Sequence, residues 1–249
     1  MLCRRKSIDC CFDSATNGKH HSYVEWSTME PKKGQFDFTG INDLVRFITL
    51  AQNLDLLVIL RPGPFICAER DFGGFPAWLQ WEENIEYRTN NTVFMNAVER
   101  FYSVLLPKLR HLLYENGGPI IMVQVENEYG STSVAPTAQG LAYKIFLRDL
   151  IRKHLGENVI LFTTDGHYTG YVQKGMIPGV YPTIDFGTVD NVTFAVQEFR
   201  KIQPKGPLVN SEFYTGWLDH WSEAHQKVHY RNIINTLMEM HNYNFSVNL

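Results

Sequence analysis

The residues best suited to chemistry in this sequence of 249 residues are glutamates that follow short apolar runs. Cys67 and Glu69 come after Leu56–Leu60. Glu126, Asn127, Glu128 and Tyr129 come after the run 120–125, and Asn210, Ser211, Glu212, Phe213 and Tyr214 come after Leu208 and Val209. Cleaving a glycosidic bond takes two carboxyl groups on opposite sides of the anomeric carbon. One is protonated to release the leaving oxygen, and one is ionised to attack or to activate water. Separate strands can supply that opposition. At a separation of about 5–5.5 Å the ionised group attacks directly, a covalent glycosyl-enzyme forms and configuration is retained. The charge of the nucleophile keeps the acid protonated; glycosylation removes that charge and lets the same residue act as base. A single loop glutamate is ordinarily a solvated surface carboxylate, and Glu128 and Glu212 stand apart from that class by their context.

The elements that must position these groups read as alternating strands and helices from about residue 36 onward, the pattern of βαβ units and a parallel sheet. A helix with Ile41, Leu44, Val45 and Ile48 on one face, capped by Thr39, leads into the strand Leu56–Leu60. The next helix carries Phe94, Ala97, Val98, Phe101, Val104 and Leu105 and stops at Asn116-Gly117-Gly118-Pro119, before the strand 120–125. A third, with Leu147, Leu150, Ile151 and Leu155, closes at Gly156 before the run 159–162, which leads into Thr163-Thr164-Asp165. Further strands are expected at 183–186 and 208–210, with incomplete ones at Tyr23-Val24 and at 246–249. In a parallel barrel the chemistry lies beyond the C-terminal strand ends, and the polar residues of this chain gather there.

Composition narrows the partners. Lys plus Arg 23 against Asp plus Glu 26 gives a net charge of -3, so no basic field exists to attract nucleic acid or acidic membrane, and a neutral partner is expected. Hydrophobic residues at 44% allow a sizeable core, and no apolar run approaches the roughly 20 residues of a membrane span. Cys3, Cys10 and Cys11 crowd the first residues while Cys67 sits in the body, which fits no disulfide framework. His20-His21 and the nearby Cys10-Cys11 match no metal-ligand spacing and read as tag-like or loop residues; no cofactor is expected. The start, MLCRRKSIDCCFDS, lacks the apolar core of a secretory signal, and the sequons at Asn90, Asn191 and Asn244 are about as many as chance supplies. Ser211, Asp219 and His220 lie close in sequence, but no G-x-S-x-G elbow accompanies them, which argues against a serine hydrolase.

One stretch is specific. GGPIIMVQVENEY, Gly117 to Tyr129, resembles throughout the signature of glycoside hydrolase family 35, the β-galactosidases. RPGPFICAE from Arg61, GGFPAWL from Gly73, LFTTDG from Leu161 and PKGPLVNSEFYTGWLDHW from Pro204 look like further blocks of that family in the same order. The resemblance implies an α/β fold, a (β/α)₈ TIM barrel that is incomplete here, its first βα unit missing and its eighth strand cut. Residues 1–21 would lie outside the family and 22–249 would form the partial catalytic domain. It implies Glu128 as acid/base, Glu212 as nucleophile, Asn127 as partner of the sugar 2-hydroxyl and Tyr214 as the residue that orients the nucleophile. Tyr23, Cys67, Ala68 and Glu69 are implied to line the galactose pocket, Ala68 through its backbone. Glu126 is expected to support the loop.

The sequence departs from the family's YVxWNxHEP block, reading YVEWSTMEP with Ser27 and Met29, and Arg70 stands where an aromatic is common. The implied substrate is a β-galactoside and the implied location lysosomal or secreted. Unpaired strand edges on an open barrel favour misfolding, aggregation or association with a completing segment, and a homo-oligomer is one expected state. The alternative reading is a catalytically inactive barrel fragment or isoform that binds sugar or a partner.

Overall fold

Apolar runs without alternation make strands that are covered on both faces. Among the described residues such runs contribute to seven strands whose order in the sheet follows chain order. The computed structural model describes residues 19–188 and 190–248. Cys3, Cys10, Cys11 and Leu249 therefore lie outside the described residues, as does most of the expected segment 1–21. The chain divides into two compact units: one runs up to Asn127 and includes 136–162 and 177–180, and the other comprises 128–135, 163–176 and the residues from Tyr181 on.

The first unit contains β1 (Lys19–Tyr23), α1 (Trp26–Met29), α2 (Leu44–Asn53), β2 (Leu57–Arg61), α3 (Thr92–Leu109), β3 (Ile120–Gln124), α4 (Ala138–Leu155) and the start of β4 (Leu161–Gly166). Its strands pair in parallel, Lys19 opposite Leu57, Val58 opposite Ile120 and Val123 opposite Leu161. Side-chain caps begin the helices: Asp43 accepts from the Arg46 N–H, Asn91 from Phe94 and Thr137 from Gly140. The GGP segment before β3 needs its second glycine for close approach, since a Cβ on Gly118 would fall 2.1 Å from the Leu112 carbonyl oxygen. Around α3 the core is aromatic: Trp26 stacks on Phe101 at 4.8 Å and meets Phe75 and Trp78 edge-on. Beneath these rings Glu30 is fully buried, accepting from Trp26 Nε1 at 2.7 Å, the Gly34 N–H at 2.6 Å and Arg100 at 2.6 Å.

The second unit takes the remainder of β4 with α5 (Thr169–Gly175), β5 (Tyr181–Gly187), α6 (Val192–Ile202), β6 (Leu208–Tyr214), α7 (Tyr230–Asn242) and β7 (Phe245–Asn248). β5 pairs with β6 and β6 with β7, again in parallel. Its core packs Ile184 and Phe186 of β5 and Leu208 of β6 against Val192, Ala195, Val196 and Phe199 of α6 and Met240 of α7.

Several boundaries differ from the sequence expectation. Asp43 rather than Thr39 caps α2; Thr39 precedes a 3-10 turn and makes no side-chain cap, and Ile41 in that turn is fully exposed rather than on the buried face. α3 stops at Leu109, two residues past Pro107, and two 3-10 turns carry the chain to Gly117. β4 begins at Leu161 and extends through the polar residues to Gly166, with Val159 and Ile160 left outside it. The first strand precedes Val24 and includes His20 and His21, which are strand and not loop residues. β6 runs on to Tyr214, so Glu212 and Tyr214 lie inside a strand rather than after it.

Glu30 gives the first unit a testable point of stability. Glu30→Ala leaves the Trp26 and Gly34 donors buried and the Arg100 charge without its partner, and should lower unfolding free energy in urea by about 2–3 kcal/mol. A loss below about 0.5 kcal/mol, the usual range of a surface substitution, would show that this network carries no weight.

Candidate active site

The chain leaves β3 through residues in left-handed conformation. Glu126 has φ 64° and Glu128 φ 45° with ψ 38°, a region sparsely used by residues with a Cβ and concentrated at functional sites. Within the second unit the Glu128 turn is pinned at several points. The Glu128 N–H donates to the Thr164 carbonyl at 3.0 Å, and its own carbonyl accepts from the Ser131 hydroxyl at 2.8 Å. The Gly130 N–H donates to Asp165 Oδ1 at 2.7 Å. No other residue fits at 130, because a Cβ there would lie 1.9 Å from the Tyr171 carbonyl oxygen.

Glu212 is aimed by a different device. Ile184 pairs with Asn210 and Phe186 with Phe213, so β6 carries one residue more than β5 across the stretch that includes Glu212. Such a bulge re-aims side chains. The Glu212 N–H donates to Asn210 Oδ1 at 3.2 Å, and the preceding Ser211 is consumed structurally: its hydroxyl bonds Thr164 Oγ1, Thr183 Oγ1 at 2.6 Å and the Ile184 carbonyl at 3.2 Å. His220 pairs with Glu223 and Asp219 with His225, so Ser211, Asp219 and His220 form no catalytic relay.

At the centre of this cluster stands a residue that sequence reading passes over. Asp185, at 2% exposure, bonds the Tyr214 hydroxyl through Oδ1 and accepts from Thr164 Oγ1 through Oδ2 at 3.2 Å. Burial, then the charge of Glu128 and that of Glu212, push its pKa up to about 8 against the opposing pull of the Tyr214 and Thr164 hydrogen bonds. Burial and the Asp185 carboxyl likewise hold the Tyr214 phenol far above its usual range, with Glu128 and Glu212 adding to the effect. Glu128, Asp185 and Tyr214 line a cavity of about 580 Å³ whose walls include Tyr168, Tyr171 and Trp217. The only sequence signal for Asp185 is a lone carboxylate within an apolar strand, TIDFG.

The remaining expected residues belong to the first unit. Arg61, buried to 1% exposure at the end of β2, joins two of them: it bonds the Tyr23 hydroxyl and donates to Asn127 Oδ1 at 2.7 Å. Asn127 Oδ1 also accepts from Gln124 at 3.0 Å, while its Nδ2 donor is buried with no partner among the described residues. Glu126 supports the loop as expected, holding Arg88 through two bonds of 3.0 and 2.7 Å, Tyr143 at 3.0 Å and the Asn127 N–H at 2.7 Å. Cys67, Ala68 and Glu69 have φ of 56°, 50° and 51°, three consecutive left-handed residues. Glu69 is exposed and lines a separate cavity of about 370 Å³ with Glu25, Ser27 and Arg70. There the departures Ser27 and Arg70 meet on one acceptor: Ser27 donates to Glu25 at 2.8 Å and Arg70 Nε lies 2.8 Å from its other oxygen. Among the described residues no group of three or more His, Cys, Asp or Glu side chains is arranged to hold a metal ion, and no helix is long and apolar enough to cross a membrane.

The model of glycosyl hydrolases family 35 matches residues 19–249. The chain belongs to that family. Family-35 membership is matched by its relatives: it is 50% identical over 228 residues to a β-galactosidase of Felis catus and 48% identical over 228 to one of Homo sapiens, in both cases across 92% of this chain. The aligned part is 34% and 33% of those proteins, so this family-35 chain spans about a third of the length of the curated relatives it matches. A solved cold-adapted β-galactosidase from Rahnella sp. R3 superposes with a TM-score of 0.68 at 11% identity, covering 96% of this chain and 46% of that one. An exo-β-1,4-mannosidase from Opitutaceae bacterium strain TAV5 superposes with a TM-score of 0.61 at 16% identity, covering 79% and 39%. Likeness at that identity concerns fold alone, and the fold is an incomplete (β/α)₈ barrel of which seven parallel strands are described.

The buried Asp185 fixes a pH dependence. An unfolded chain releases this proton near 3.8, whereas the folded one keeps it up to about 8. Across that window the folded state binds one proton more, so stability falls as pH rises through it. Asp185→Asn has nothing to titrate there. Urea midpoints between about pH 5 and about pH 8 should drop less for this variant than for the parent; equal slopes would mean that Asp185 is ionised in the fold.

Proposed function

We propose that this chain is the glutamate-bearing part of a retaining β-galactosidase, with Glu212 as nucleophile and Glu128 as acid/base. What supports the reading is the family-35 match together with the charge that Glu128, in the turn after β3, and Glu212, on β6, both exert on the buried Asp185–Tyr214 pair, beside a cavity lined by Glu128, Asp185 and Tyr214. In the first half-reaction the Glu212 carboxylate bonds to the anomeric carbon while the bond to the aglycone breaks and Glu128 gives its proton to the departing oxygen. In the second, Glu128 takes a proton from water, the water oxygen bonds to the anomeric carbon, and Glu212 leaves with its electron pair.

Asn127 is proposed as the partner of the 2-hydroxyl, a reading supported by its buried, unpartnered Nδ2. Tyr23, Cys67, Ala68 and Glu69 are proposed as sugar contacts; of these, Tyr23 is fixed by Arg61 and the other three are held in left-handed backbone. The substrate class is a neutral terminal β-galactoside, consistent with a net charge of -3. By the same family likeness residues 22–249 are proposed as the catalytic portion and the location as lysosomal or secreted.

A second reading, a sugar-binding chain without turnover, draws on the one-third coverage of the relatives. An aryl β-galactoside separates the two. Turnover is expected in the parent and should vanish in Glu212→Gln. Glu128→Ala should lose about 10²–10⁴-fold on a sugar aglycone and much less on an aryl leaving group that needs little protonation. Azide should restore the second step of that variant by yielding the β-galactosyl azide. A folded parent with no turnover above Glu212→Gln rejects the enzyme reading, and sugar binding without turnover would establish the second.

A further inference from the structure

The Tyr214 hydroxyl has one hydrogen and three carboxyl groups that bear on it, Asp185 by direct bond and Glu128 and Glu212 by charge. Glu212 and Tyr214 stand two residues apart on β6, Glu212 within the bulged stretch and Tyr214 just past it. If Asp185 is ionised it can only accept, so it takes the phenol hydrogen and turns the oxygen lone pairs of Tyr214 toward the remaining neighbours. If Asp185 is a carboxylic acid it can donate, and the phenol hydrogen is released for another acceptor.

We propose that Asp185 is a positioning residue that works as a neutral acid: its O–H donates to Tyr214 Oη, and the Tyr214 hydrogen is thereby directed to the Glu212 carboxylate. The inference rests on the reading of Glu212 as nucleophile and assigns its orientation to a third carboxyl group. Hydrogen-bond geometry admits the neutral form: the Thr164 hydroxyl donates to Oδ2, and Oδ1, which accepts from Tyr214 when ionised, is the oxygen left to carry the proton. So does electrostatics. Asp185 is faced by Glu128 from the turn after β3 and by Glu212 and Tyr214 from β6. From the segment after β4, His167 offers its backbone N–H to the Asp185 carbonyl while its ring lies 4.0 Å from Asp190. Lys227 lines the same cavity and is the one ammonium group among its described walls. Burial and the neighbouring carboxylate charge hold the Asp185 proton above the usual carboxylate range, to about pH 8 where both glutamates are ionised. Above that, the proton leaves to solvent, the phenol hydrogen turns back to Asp185 and Glu212 loses its donor.

The test combines rate and protonation in the full chain. Asp185→Ala should lower kcat on an aryl β-galactoside about 100-fold with KM little changed, the scale of losing one preorganised donor. Asp185→Asn presents an N–H in place of the acid O–H and should recover roughly tenfold or more of that loss. Its kcat should also fall less steeply than the parent's above about pH 8. In Tyr214→Phe, which removes the hydrogen at issue, replacing Asp185 by Ala or Asn should make no further difference. Infrared spectra of the parent at neutral pH should contain a protonated-carboxyl C=O band that Asp185→Asn abolishes. An Asn variant no better than Ala, an alkaline limb as steep in Asp185→Asn as in the parent, or an unchanged carboxyl band would each overturn the inference. The spectral arm needs no turnover, so an inactive parent that carries the Asp185 band sinks the catalytic reading while the protonation stands.

Discussion

Three carboxyl groups around one phenol, in a cluster where one of them is almost wholly removed from water, is the constraint from which the second unit is built. An ionised carboxylate is costly to bury unless it is paired with a cation or richly hydrogen-bonded. Asp185 has two hydroxyl partners and two further carboxylates acting on it. Neutrality is the inexpensive solution. Around Asp185, the Thr164, Thr183 and Ser211 hydroxyls lie within bonding distance of one another and of strand carbonyls, sharing three hydrogens among those contacts and adding no charge.

The two glutamates reach this cluster by different backbone devices, and each device has its own anchor. Glu128 occupies a left-handed position that the chain would ordinarily avoid, held by the Thr164 carbonyl and by the bond between Gly130 and Asp165. Asp165 is packed so closely that a Cβ on Gly175 would fall 1.9 Å from its Oδ2, which ties α5 to the same turn. Glu212 relies on an extra residue in β6 rather than on unusual dihedrals. Strain of about 1–3 kcal/mol at a site such as Glu128 persists only where its surroundings over-determine it. In the first unit Arg88 and Arg61 do the corresponding work for Glu126 and Asn127, as guanidinium forks that fix carboxylate and amide at once.

Strand number, parallel pairing and family membership were legible because they depend on local pattern. A run such as LVIL has no good alternative to a buried strand, and a thirteen-residue match leaves little room for coincidence. Boundaries were less legible where polarity misleads. SEFY reads as the loop after a strand, yet the parallel ladder continues through Tyr214 because β5 continues beside it. Ile41 reads as core by helical spacing, but Asp43 captures the Arg46 N–H and starts the helix later. Asp185 reads as strand filler because its importance lies in what three other strand ends bring to it. Ser27 and Arg70 are visible in the sequence as departures, whereas their joint engagement of Glu25 appears only in three dimensions.

The proposed double displacement also explains how a neutral Asp185 could serve both half-reactions. Before attack Glu212 carries the charge and Glu128 holds the proton. After attack Glu212 is an ester without charge, and Glu128, having given its proton to the aglycone, is the carboxylate. One negative charge therefore faces Asp185 at each stage, moving from the β6 side to the β3 side. Since both positions raise the Asp185 pKa, with Glu128 the stronger influence, the intermediate holds the Asp185 proton at least as firmly as the resting state. Tyr214 then keeps a hydrogen available for the Glu212 oxygen that must leave in the second step, where a donor favours departure of the carboxylate just as it favoured its alignment in the first.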